Sequence, residues 1–232
     1  MAVGKAFVKL VEIMSTLRSD NGCPWDRQQT HESLRQYLLE ETHELLAAID
    51  SGDYHEVREE LGDVLLQVVF HAQIASEFGR FDIADVIQGI SDKMVRRHPH
   101  VFGDENVESA NEQVQRWENL KKEEGKRSKF DGLPKTLPAL QRAHRLQQKA
   151  SVNATRLPTW QHASNKFDAV LEKLLRANAA GENWQRDVGE ILFAMVSLAG
   201  KHGVNAEDAL RQQCERFERE AREQEVKNQA GN

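Results

Sequence analysis

No stretch of this chain approaches the ~20 consecutive apolar residues that cross a bilayer. The opening segment is broken by Lys5, Lys9 and Glu12, so it lacks the apolar core of a secretory leader. The expectation is a soluble, cytoplasmic protein with no membrane partner. Cysteine is scarce: Cys23 and Cys214 lie far apart and suggest no disulfide framework. Proline is also scarce, with five residues, and there are only two tyrosines. Positive charge is not in excess. The net charge of −6 leaves too few cations to meet a nucleic-acid backbone, so no nucleic-acid partner is expected. What remains is rich in Leu, Glu, Gln, Arg and Ala, with 29% charged residues, and reads as helical. An apolar fraction of 39% in 232 residues supports a core in one domain or two.

Phe7, Leu10, Val11, Met14 and Leu17 recur at helical spacing and predict a first helix ending at about Arg18. The Asp20-Asn21-Gly22-Cys23-Pro24 stretch breaks it. A second helix is predicted over about 31–49, followed by a turn at 50–53. The third covers about 54–78, with Val57, Leu61, Val64, Leu65 and Val68 on one stripe. Gly79 to Asp82 form the next turn. A fourth helix is predicted over about 83–97, stopped by His98-Pro99-His100 because residues before proline resist helix. A further amphipathic helix is expected over about 109–124, around Val114, Trp117 and Leu120. Residues 121–138 are charged, carry Gly125, Gly132, Pro134 and Pro138, and read as a linker.

The second half repeats the first weakly. Gly62-Asp63-Val64-Leu65-Leu66 resembles Gly189-Glu190-Ile191-Leu192-Phe193, 127 residues on, and both helices reach a glycine turn, Gly79 or Gly203. The basic spacing of Lys93, Arg96 and Arg97 resembles Arg216, Arg219 and Glu220 at an offset of 123, so one loop is expected to be shorter. The reading is an all-α tandem repeat of four-helix units. Its parts are a first unit at 1–120, the linker at 121–138, a second unit at 139–226 and a disordered tail at 227–232.

Glu41 and Glu44 are three apart and share a helix face, as do Glu60 and Asp63 on the next helix. About Gly52 the spacing is symmetric. Glu41 and Asp63 are both 11 residues away (52 − 41, 63 − 52), and Glu44 and Glu60 are both 8 away. A symmetric hairpin would bring all four carboxylates to one spot. Such clusters repel unless a proton or cation intervenes, and an all-oxygen set suits Mg²⁺ or Mn²⁺. The alternative is a solvated acidic face. Against it, Glu41 falls within the stripe of Leu34, Leu38, Leu45 and Ala48, where an unpaired charge is costly. Glu40 and Glu59 are turned away by ~100° and fit either an outer role or plain exposure.

Lys93, Arg96 and Arg97 form a basic patch at the end of the fourth helix. Cations there suit the helix dipole, and they also suit a phosphate chain. In Gly22-Cys23-Pro24-Trp25-Asp26, Trp25 either stacks on a base or plugs the bundle.

Taken together, GCPWD at 22–26, EETHE at 40–44, EELGD at 59–63 and KMVRRHPHVFGD at 93–104 resemble the MazG family of all-α nucleoside triphosphate pyrophosphohydrolases. The resemblance implies a homodimeric bundle that cleaves between the α- and β-phosphates, releasing a nucleoside monophosphate and pyrophosphate, as nucleotide-pool housekeeping. It implies Glu41, Glu44, Glu60 and Asp63 as Mg²⁺ ligands, and Lys93, Arg96 and Arg97 as phosphate contacts. Trp25 is the candidate base contact. The metal would neutralise phosphate charge and activate a water for in-line attack, with Glu40 or Glu44 taking the proton.

The second half departs from this pattern. Lys173 and Arg176 stand near where its first acidic pair would fall, while Asp187 and Glu190 survive on the following helix. Asp168 and Glu172 are the nearest substitutes, but their spacing is four. This half is expected to be a degenerate, structural repeat. Two competing readings are a non-catalytic nucleotide-binding or interaction module retaining the fold, and a di-iron bundle. The latter normally needs two Glu-x-x-His motifs, and the chain has one, at Glu40 to His43.

Overall fold

The structure, a computed structural model, describes residues 2–103, 128, 130–151, 167–168, 171–172 and 184–230. Among these residues the regular structure is entirely helical. The chain divides into two compact units, Met1–Val107 and Glu108–Asn232.

The first unit holds α1 (Val3–Arg18), α2 (Pro24–Gln28), α3 (Arg35–Ser51), α4 (Tyr54–Glu77), α5 (Ile83–Arg97) and α6 (Pro99–Phe102). α3 and α4 form an antiparallel hairpin. Gly52 closes α3 at φ 74°, a left-handed conformation that a side chain would strain. Asp53 then caps α4, its carboxylate accepting from the His55 N–H at 2.7 Å. α1 lies against α4, and their apolar faces meet in the core: Met14, Leu34, Val69, Phe70 and Ile74. Phe7, Leu10, Val11, Tyr37, Leu66 and Ile83 pack around it. Each large apolar side chain removed from water contributes ~1.5–3 kcal/mol, so the core fixes the face that α4 turns inward.

Local chemistry moved three predicted boundaries. α3 starts at Arg35, not near residue 31. The Thr30 N–H donates to Ser33 Oγ at 2.9 Å and the Ser33 N–H to Thr30 Oγ1 at 3.2 Å, which offers the backbone a turn in place of a helix. The broken stretch after α1 contains a short helix, α2, with Pro24 in its first turn. Pro99 likewise ends α5 but opens α6. The helix expected over 109–124 lies outside the described residues, as does most of 121–129. Residues 130–138 form turns and bends, with Gly132 at φ 73°.

The second unit contains α7 (Ala139–Ser151), α8 (Trp184–Lys201) and α9 (Ala206–Ala230), which pack against one another. α9 runs past Val226 to Ala230, which corrects the disordered tail expected from residue 227. Lys227, Asn228 and Gln229 contain no breaker, and Lys227 suits the helix C-terminus.

The repeat is visible in the turns. Gly79 (φ 61°) donates to Ser76 O at 2.9 Å and Arg80 to Ala75 O at 3.0 Å. Gly203 (φ 70°) donates to Gly200 O at 3.1 Å and Val204 to Ala199 O at 2.9 Å. The next helices are capped alike, by Asp82 accepting from Ala84 and Asp85, and by Asn205 accepting from Glu207 and Asp208. From Gly62 to Gly79 is 17 residues, and from Gly189 to Gly203 is 14. From glycine to cap is 3 residues in one unit and 2 in the other. Of the four-residue change in offset, three therefore fall within the helix and one in the loop. Three residues are close to a full turn, so the helix keeps its faces.

Candidate metal centre

The hairpin brings three of the four predicted ligands together. One carboxylate oxygen each from Glu41, Glu60 and Asp63 lies within 4.8 Å of the others. Glu41 comes from α3, and Glu60 and Asp63 from one face of α4. All three are half-buried. Glu44 is more exposed and outside this group, one helical turn along α3, yet its charge acts on both Glu41 and Glu60. Glu40 is exposed on the far side of the stripe.

Electrostatics mark the cluster as under-compensated. Burial raises the pKa of Glu41 above the ordinary carboxylate value, and the charges of Asp63, Glu44 and Glu60 raise it further. Glu60 is raised for the same reasons, burial first, then Glu44, Asp63, Glu59 and Glu56. Moreover, Glu60 Oε2 is buried with no hydrogen-bond partner. A buried acceptor is normally satisfied, and a carboxylate oxygen facing other carboxylates lacks only a cation. The donor set is all oxygen, which fits Mg²⁺ or Mn²⁺.

One member of the site escaped the sequence reading. Gln67, four residues after Asp63 on α4, is 5% exposed and hydrogen-bonds the Glu41 carboxylate. Its position on the acidic stripe was the available signal, but glutamine at helical spacing is too common to stand out.

The other predicted residues are placed as follows. Lys93, Arg96 and Arg97 occupy the last turns of α5, with Lys93 and Arg97 half-buried. Trp25 sits on α2, 49% exposed, its ring edge-on to Tyr37 with centroids 5.6 Å apart. It does not plug the bundle. Arg18 holds α2 in place: its guanidinium donates to the carbonyls of Asp26 and Gln29 and pairs with Glu77 through two 2.7 Å contacts. That side chain is 5% exposed and lies over the Phe70 ring.

In the second unit Asp187 is 7% exposed and Glu190 pairs with Arg186 at 3.3 Å. Asp168 and Glu172 are exposed on short helical stretches. Lys173, Arg176 and the turn before α8 lie outside the described residues. Among the described residues, the acidic group in the first unit is the one with metal-binding geometry.

Residues 29–102 match the MazG nucleotide pyrophosphohydrolase domain. Over 224 residues the chain is 43% identical to the nucleoside triphosphate pyrophosphohydrolase of Escherichia coli K12, spanning 93% of this chain and 85% of that protein. The chain belongs to the MazG family. A second MazG relative, the nucleoside triphosphate pyrophosphohydrolase/pyrophosphatase MazG of Thermotoga maritima, is 43% identical over 219 residues, covering 92% of this chain and 83% of its own. A solved MazG-related protein from Thermotoga maritima covers 50% of this chain and 98% of its own at 30% identity, with a TM-score of 0.43. The matched MazG domain contains the three clustered carboxylates, Gln67 and the basic end of α5, whereas Trp25 precedes it.

Proposed function

We propose that this MazG chain is a Mg²⁺-dependent nucleoside triphosphate pyrophosphohydrolase, converting NTP and water to NMP and pyrophosphate. The observation that carries this reading is the convergence of Glu41, Glu60 and Asp63 around a buried, partnerless carboxylate oxygen within the matched domain. Glu44 completes the ligand set from the exposed side once a cation draws it in. Mn²⁺ would serve in place of Mg²⁺, since both take oxygen donors. A bound divalent ion supplies charge neutralisation on the phosphates and an activated water. Glu44 or Glu40, both exposed on α3, accepts the proton released by that water. Lys93, Arg96 and Arg97 bind the phosphate chain. Trp25, held by the Arg18 clamp with half its surface open, stacks on the base. The acting form is a homodimer, a cytoplasmic guardian of the nucleotide pool. The second unit, at 139–226 beyond the 121–138 linker, is a structural repeat.

The test is product identity. The protein is incubated with mixed nucleoside triphosphates and Mg²⁺, and the products are resolved by anion exchange. Monophosphate plus pyrophosphate supports the reading, and EDTA should stop their formation. Diphosphate plus orthophosphate would sink it, and binding without turnover would favour the non-catalytic module.

A further inference from the structure

The three clustered carboxylates differ in what holds them. Glu60 and Asp63 leave the same helix three residues apart, so α4 alone sets their spacing. Glu41 comes from α3 and must be held against two like charges across the hairpin. Without a cation, repulsion favours turning it outward, where it is already half open to water. One group on the page opposes that. Gln67 is buried, and an ionised carboxylate only accepts, so the amide must donate from Nε2 to Glu41. Its Oε1 is correspondingly left buried with no donor. A buried carbonyl without a partner is a standing cost, of order 1–3 kcal/mol for such groups, which an apolar residue would avoid. Packing needs alone would therefore not select glutamine here. Its neighbours Val69 and Phe70 are core residues, so the amide is anchored to the most rigid part of α4.

We propose that Gln67 is a positioning residue, which fixes Glu41 in the orientation that receives the divalent cation. This rests on the metal reading above. Outer partners of ligating carboxylates typically change metal affinity 10–100-fold when removed. The prediction has two parts of different sign. Gln67→Met keeps the length but removes both the donor and the orphaned carbonyl. It should weaken Mn²⁺ binding about tenfold while leaving the thermal midpoint in EDTA within about 3 °C of wild type.

The experiment is calorimetric titration of the full chain with Mn²⁺, paired with thermal melts in EDTA. It is done on wild type, Gln67→Met, Gln67→Leu and Glu41→Gln; the Leu variant is read in the same way if the Met variant does not fold. Saturable binding by wild type that Glu41→Gln abolishes secures the underlying metal site. An affinity loss of about tenfold in the Gln67 variants, with the midpoint held, supports the positioning role. A change under threefold overturns it and leaves the metal site standing, as does a fallen midpoint with unchanged affinity. No Mn²⁺ binding by wild type would instead remove the metal reading itself.

Discussion

At the scale of single residues, the molecule shows two opposite uses of buried charge. Glu41 and Glu60 carry raised pKa values, so the folded state binds protons more tightly than the unfolded chain. Metal-free stability attributable to them is full below the unfolded carboxylate value and falls as pH rises through the raised values. Glu77 is the reverse. The Arg18 guanidinium holds its carboxyl below the ordinary range, so its contribution is present at neutral pH and is lost as pH falls through that lowered value. Two outcomes follow. Glu41→Gln should raise the thermal midpoint of the metal-free protein at pH 7 while removing metal protection, read by melts with and without Mg²⁺. Arg18→Met should lower stability by about 2 kcal/mol in urea titrations. A fully buried pair would lose more, but Glu77 keeps partial access to water. The acidic residues were legible in the sequence because four symmetric spacings about one glycine are hard to reach by chance. Gln67 and the Arg18–Glu77 pair were not legible. The pair's partners are 59 residues apart, and only packing brings them together.

At the scale of elements, boundaries were legible where caps and breakers agreed. α5 was read at its observed limits because Asp82 and Asp85 form a reciprocal cap at one end and Pro99 stands just past the other. The start of α3 was misplaced because Thr30 and Ser33 satisfy the backbone locally, which apolar period does not reveal. α2 was missed because five residues are too few to show a period. Its position depends on Gly22. A Cβ there would lie 2.2 Å from the Leu17 carbonyl oxygen, which is helix backbone and does not yield. Gly22→Ala should therefore cost on the order of 2–3 kcal/mol, measurable by chemical denaturation. It should also move α2 and with it Trp25, raising KM for nucleotide more than it lowers kcat.

At the scale of the whole molecule, the duplication preserved architecture further than chemistry. Both units close a long helix on the same glycine turn and open the next with the same kind of cap, and in the second unit the helix is shortened by nearly one turn, so its faces are kept. The acids did not follow. Glu41 and Glu44 find no counterpart at matching spacing, and Lys173 and Arg176 bring the wrong sign. Residue type thus foretold the functional asymmetry that backbone turns alone conceal.

The central claim is that one acidic site per chain, in the first unit, performs pyrophosphohydrolysis. The most direct measurement is pyrophosphate release from nucleoside triphosphate with Mg²⁺ by wild type, Glu41→Gln and Glu172→Gln. The account predicts a loss of roughly a hundredfold or more for Glu41→Gln and wild-type rates for Glu172→Gln. Retained activity in Glu41→Gln together with its loss in Glu172→Gln would contradict it and move the site to the second unit.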